Sequence, residues 1–131
     1  MLQTQTVEPR TLSLLERLMQ IPELKDFGLV GGTALSLKFG HRISLDLDLF
    51  SHKPFENQSI IEVLKHHFGD RFIIEQKPPQ FGIFCYLEDV KVDIVHHPHP
   101  LIRPTELLDE IRMYSNEDII AMKVQAILGH I

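Results

Sequence analysis

Residues 27–50 read FGLVGGTALSLKFGHRISLDLDLF. Phe27-Gly28-Leu29-Val30 is a short apolar run of the kind found in a buried strand, and it runs straight into Gly31-Gly32. Residues 33–39 predict a short helix, with Thr33 near its start and Gly40 just past its end. Residues 45–50 alternate strictly and predict a strand. Leu45, Leu47 and Leu49 point to one face, and Asp46 and Asp48 to the other. The unit is therefore strand, glycine turn, helix, strand, with two carboxylates on the face opposite the core.

Working outward, Leu12, Leu15, Leu18 and Met19 share one face of a predicted helix over 11–20, closed by Pro22. A second helix is predicted over 58–68 through Ile61, Leu64 and Phe68. Residues 71–76, 81–87 and 90–95 predict three strands, separated by Lys77-Pro78-Pro79-Gln80 and by a Glu88-Asp89 turn. Residues 101–114 fit either a short helix or two extended pieces around a turn. Ser115-Asn116-Glu117-Asp118 has the S-x-x-D form of a helix start. The helix it opens carries Ile119, Met122, Val124, Ala126 and Ile127 as its apolar stripe. The alternation of helices and strands predicts an α/β chain with a mixed sheet (α+β), and 131 residues suit a single domain, 1–131.

Composition narrows the function classes. Apolar residues are 44% and charged residues 24%, ordinary values for a folded domain. Thirteen Lys+Arg against eighteen Asp+Glu leave a formal charge of −5, which argues against a broad basic surface for nucleic acid. No apolar run is long enough to span a membrane. MLQTQTVEPR does not read as a secretory signal. The single cysteine, Cys85, rules out an intrachain disulfide and reads as a buried core thiol. The expected setting is reducing and cytoplasmic.

A third carboxylate, Asp93, sits in Val90-Lys91-Val92-Asp93-Ile94-Val95, where Val92 and Ile94 take the buried face. A neighbouring strand would bring it beside Asp46 and Asp48. Carboxylates gathered this way repel one another unless a cation sits among them. Asp46 and Asp48, about 7 Å apart at Cα by strand rise, suit a pair of divalent ions about 4 Å apart for in-line phosphoryl displacement. Gly31-Gly32 at a helix start offers free N–H groups to an anion, Thr33 adds a hydroxyl, and Lys38 and Arg42 are nearby cations. Arg42 equally suits a salt bridge to Asp46 or Asp48, and Lys123 either an exposed ion pair or a phosphate contact. His96, His97 and His99, broken by Pro98 and Pro100, read as a loop leaving the sheet, with a transition-metal site as the alternative. His66-His67 reads as a helix surface.

The stretch 27–50 resembles the first motif of the AbiEii/AbiGii toxin family of nucleotidyltransferases, part of the DNA polymerase β-like superfamily with its G-[GS], spacer, D-x-D pattern. Asp93 stands where that family's third carboxylate stands, and residues 115–126 are similar to its later, lysine-bearing helix. The resemblance covers roughly residues 10–131. It implies a polymerase β-like nucleotidyltransferase fold in minimal form and transfer of a nucleotidyl group from an NTP to an acceptor hydroxyl on tRNA or protein. Asp46, Asp48 and Asp93 would be the catalytic and metal-binding residues for Mg²⁺ (or Mn²⁺). Gly31, Gly32, Thr33, Lys38, Arg42 and Lys123 would bind the nucleotide. The biological setting implied is a toxin–antitoxin or abortive-infection system against phage, with an antitoxin protein as partner.

Family members usually continue past the last helix with a Lys/Arg-Asp-x-x-Asp segment and a helical part, whereas this sequence stops at Ile131. The resulting expectation is that nucleotide binding survives in the 131-residue chain and that transfer is weak. A homo-oligomer through Ile119, Met122, Ala126 and Ile127 is expected where those residues are left exposed. The alternative is a non-catalytic, shortened relative that binds a nucleotide or a partner. A metal-dependent phosphohydrolase is a third and weaker expectation, lacking a His-Asp metal motif.

Overall fold

Helix α1, Pro9–Met19, starts two residues earlier than the periodicity predicts. Pro9 takes the first helical position, and the Glu8 carboxylate accepts the Thr11 N–H at 3.1 Å, capping the start. The computed structural model describes residues 2–40 and 46–128. After α1 come strand β1, Gly28–Val30, helix α2, Gly31–Phe39, and strand β2, Leu47–Ser51. Helix α3, Asn57–Phe68, leads to strand β3, Phe72–Ile73, and to the hairpin of β4, Gly82–Leu87, and β5, Val90–His96. Strands β6, Glu106–Leu108, and β7, Ile111–Met113, precede helix α4, Asn116–Leu128.

The strands form one seven-stranded mixed sheet in the order β3-β4-β5-β2-β1-β7-β6. β2 lies at its centre, antiparallel to β1 and parallel to β5. The register sets the faces. Leu47 opposite Val92 and Leu49 opposite Ile94 continue through Ile83 and Cys85 of β4 as one fully buried face. Asp48 opposite Asp93 and Phe50 opposite Val95 make the other face. Helix α1 packs on β7, and α3 on β3 and β4. Leu14, Leu15 and Leu18 of α1 and Leu64 of α3 are completely buried.

Both tight turns use two successive residues at positive φ, Glu88 (50°) and Asp89 (68°), then Asp109 (48°) and Glu110 (67°). That geometry matches the twist of a two-residue hairpin, which is why Glu88-Asp89 sits between β4 and β5. The second turn resolves the ambiguity over 101–114 in favour of two extended pieces. The predicted strand over 71–76 shrinks to Phe72–Ile73, which pairs only with Tyr86 and Leu87 at the end of β4.

Arg112 on β7 holds three loop carbonyls at once: Phe27 O at 3.1 Å, Met19 O at 3.3 Å and Leu24 O at 3.0 Å. It clamps the segment between α1 and β1 against the sheet. Arg112→Leu strips these carbonyls of a charged donor, and the expected cost is about 2–4 kcal/mol, read as a lowered denaturant midpoint.

Candidate active site

Strand β2 places Asp48 in its middle, and β5 places Asp93 directly opposite on the adjoining parallel strand. Asp46 precedes β2 and is exposed. Burial, then the neighbouring charges of Asp93 and Asp46, pushes the Asp48 carboxyl up to about 6. Burial is also the main cause raising Asp93, with Lys91 opposing it and Asp46 reinforcing it. The Lys91 ammonium lies 3.8 Å from Asp93 Oδ2, two residues away on the same face. The other Asp93 oxygen, Oδ1, is buried and has no hydrogen-bond partner among the described residues.

Above this pair, β1 turns into α2. Gly31 takes φ +74°, and the Asp48 carboxylate lies against its Cα, so a β-carbon there would overlap that carboxylate. Glycine is required on two counts, the left-handed backbone and the close approach. No side chain caps α2, because the residue before it is Val30, so its first turn faces the cleft uncapped.

An open cleft of ≈ 600 Å³ joins these parts. Gly31, Gly32, Asp48 and Lys123 of α4 line it, together with the apolar Leu35, Phe50, Ile119 and Met122. Lys123, expected either as an exposed ion pair or as a phosphate contact, is among the residues lining this cleft. The S-x-x-D start of α4 fixes that helix: Asp118 N–H donates to Ser115 Oγ at 3.1 Å, and Ser115 Oγ donates to Asp118 at 2.7 Å. Asp118 also accepts the Ile102 and Arg103 N–H groups, which holds its carboxyl below the usual range against the effect of burial.

Two expected nucleotide contacts are placed differently. Lys38 is not in the cleft. Its nearly buried ammonium donates to Glu106 at 2.9 Å, to Tyr114 O at 2.9 Å and to Asn116 at 2.7 Å, joining α2 to the β6 and α4 region. Lys38→Met is accordingly expected to lower the melting temperature while leaving nucleotide affinity unchanged. Thr33 is fully buried, and its hydroxyl donates to the Asp46 carbonyl, so it anchors the start of β2 and does not face a ligand. Arg42 lies outside the described residues.

Among the described residues no group of three His, Cys, Asp or Glu side chains is gathered as a ready-made metal site. What the fold brings together is the Asp48–Asp93 pair, with Asp46 at the strand entrance. Leu35, Phe50 and Gln125 line the cleft without a functional expectation from the sequence, and His97, expected in a loop with a metal site as the alternative, lines it too. Counting two residues on from Asp48 reaches Phe50. Counting in the same way from Asp93 through Val95 reaches His97.

The expected outer stripe of α4 also shifts. Ile119 is buried and Met122 turns to the cleft, while Ile120, Val124, Ile127 and Leu128 are the exposed apolar residues.

Residues 13–130 match the family model described as the nucleotidyl transferase AbiEii toxin of a type IV toxin–antitoxin system. The chain belongs to the AbiEii family. It is 30% identical over 117 residues to the uncharacterized protein aq_aa25 of Aquifex aeolicus (strain VF5), covering 86% of this chain and 55% of that one. Among solved structures, JHP933 from Helicobacter pylori superimposes with a TM-score of 0.54 at 21% identity, covering 92% of this chain and 58% of that one. The Thermotoga maritima candidate nucleotidyltransferase TM1012 gives 0.61 at 13% identity, with 95% and 89% covered. These likenesses establish the nucleotidyltransferase fold. The chain spans a little over half the length of aq_aa25 and JHP933. No helix among the described residues is long and apolar enough to cross a membrane.

Proposed function

We propose that this chain carries the nucleotide- and metal-binding half of a nucleotidyltransferase site, which transfers a nucleotidyl group from an NTP to an acceptor hydroxyl and releases pyrophosphate. The acceptor would be tRNA or a protein, and an antitoxin protein would restrain the reaction. The observation that carries this reading is the Asp48–Asp93 pair, in register on adjacent strands beneath the uncapped start of α2.

The donor set suits Mg²⁺ or Mn²⁺. It consists of hard carboxylate oxygens, with one buried Asp93 oxygen lacking a partner among the described residues and an Asp48 carboxyl whose pKa is raised by burial and by neighbouring carboxylates. Asp46, Asp48 and Asp93 would hold the cation, which when bound neutralises phosphate charge and favours ionisation of the attacking hydroxyl. Gly31 and Gly32 would bring backbone N–H groups to the phosphates. Lys123, which lines the same cleft, would meet the remaining triphosphate charge. The Lys91 ammonium keeps Asp93 partly neutralised between turnovers.

The Asp48 shift sets a pH window. Cation binding must displace the proton that Asp48 holds below about pH 6. Stabilisation by Mg²⁺·NTP is therefore expected at pH 8, and it should fade as pH falls through about 6. Thermal melts at several pH values check this. Mg²⁺·NTP stabilisation that is equal at pH 5 and pH 8 would place the cation away from Asp48. Incubation with labelled NTP, Mg²⁺ and total tRNA or protein then separates a transferase from the non-catalytic alternative. Labelling that depends on Asp46 identifies the enzyme, and tight binding without labelling identifies the binding relative.

A further inference from the structure

We propose that Phe50 and His97 form the platform on which the nucleobase stacks, an inference that rests on the nucleotide-transfer reading of the same cleft. Metal and phosphates account for Asp48, the glycines and Lys123, but not for the apolar remainder of the cleft. A triphosphate gains nothing from Leu35, Phe50 or Met122, whereas a flat heterocycle does.

The geometry places an aromatic surface at the right remove. Phe50 follows Asp48 by two residues on the same strand face, about 7 Å further along. That separation is comparable with a ribose between phosphate and base. His97 immediately follows β5, the neighbouring strand, and its backbone N–H donates to Ser51 O at 2.8 Å, which ties it to the strand that carries Phe50. The two rings lie 5.6 Å apart with planes 30° from parallel. The His99 ring stands behind His97 at 4.6 Å.

His97 and Met122 line both the main cleft and a smaller adjoining pocket of ≈ 120 Å³, so the imidazole forms part of the wall between them. Burial, then the nearby His99 and His96, lowers the His97 pKa, so the ring presents a neutral face at pH 7 and does not act as a further phosphate cation. Gln125, on the α4 side, offers an amide donor and acceptor suited to a base edge.

The test compares two probes by calorimetry at pH 8 with Mg²⁺: ATP and inorganic tripolyphosphate. His97→Ala and Phe50→Leu are expected to weaken ATP roughly tenfold or more and to leave tripolyphosphate unchanged. His97→Phe, which keeps a stacking face without an imidazole, is expected to retain most of the ATP affinity. Equal losses for both probes, or no loss for ATP, would overturn the platform. Wild-type protein that binds tripolyphosphate and ATP equally would also overturn it, leaving the phosphate site standing. Wild-type protein that binds neither would overturn the nucleotide reading together with the platform. Unchanged tripolyphosphate affinity in the variants doubles as the check that they fold.

Discussion

Asp48→Asn is expected to reduce nucleotidyl transfer by at least about 1000-fold and yet to leave the cation-free protein as stable as wild type or more so. The two effects have one cause. Burial and the charges of Asp93 and Asp46 raise the Asp48 carboxyl to about 6, so above that pH the folded state carries an ionised group that the unfolded chain accommodates more easily. A raised carboxylate pKa means that the folded state binds more protons between about 4 and 6, and stability falls as pH rises through that window. A shift of about two units is worth about 3 kcal/mol in full, and solvent screening of a partly exposed group reduces this to about 1–2 kcal/mol. Asparagine removes the charge and the penalty together. Denaturation midpoints at pH 5 and pH 8 measure it: wild type should be less stable at pH 8 relative to pH 5 than the variant is. A large loss of stability in Asp48→Asn at pH 8 would show instead that the carboxylate is a structural group.

Gly31→Val is expected to have the second large effect. At φ +74° a β-branched residue is strained, and its β-carbon would also displace the Asp48 carboxylate. The expected result is a loss of about 2–4 kcal/mol of stability, with no measurable binding of tripolyphosphate or NTP. Gly69→Ala provides the control, because Gly69 also has positive φ (+55°) but nothing lies within 4 Å of an added β-carbon. That variant should lose stability through backbone strain alone, about 1 kcal/mol, and keep ligand affinity. Equal losses of affinity in the two variants would separate Gly31 from the site.

The central unit was legible because its signals are local. Strict alternation in 45–50 and 90–95 placed Asp48 and Asp93 on faces opposite Leu47, Leu49, Val92 and Ile94, and the register agrees. The Ser115–Asp118 start of α4 was equally plain, since a cap is a short-range hydrogen-bond pattern. What could not be read was which element a side chain meets across space. Lys38 follows Thr33 by five residues and looked like a phosphate cation, but its partners Glu106, Tyr114 and Asn116 come from far along the chain. Thr33 looks like a ligand group in the sequence because its partner, the Asp46 carbonyl, is brought to it only when the start of β2 is placed. His97 does lie just past the end of β5, as Pro98 and Pro100 imply, but the Phe50 ring beside it comes from another strand and leaves no signal in the local sequence. Along α4, helical periodicity gives one apolar stripe through Ile119, Met122, Val124, Ala126 and Ile127, but only the packing decides that Ile119 is inside while Val124 and Ile127 are exposed.

The central claim is that the Asp48–Asp93 pair and the start of α2 hold a cation and the phosphates of one nucleotide. Diffraction from crystals grown with Mn²⁺ and a non-hydrolysable NTP, measured at the manganese edge, tests it most directly. The account predicts anomalous density between the Asp48 and Asp93 carboxylates, with the phosphates against Gly31 and Gly32 and within reach of Lys123. Manganese at His96–His99, or phosphates bound away from Gly31, would contradict it.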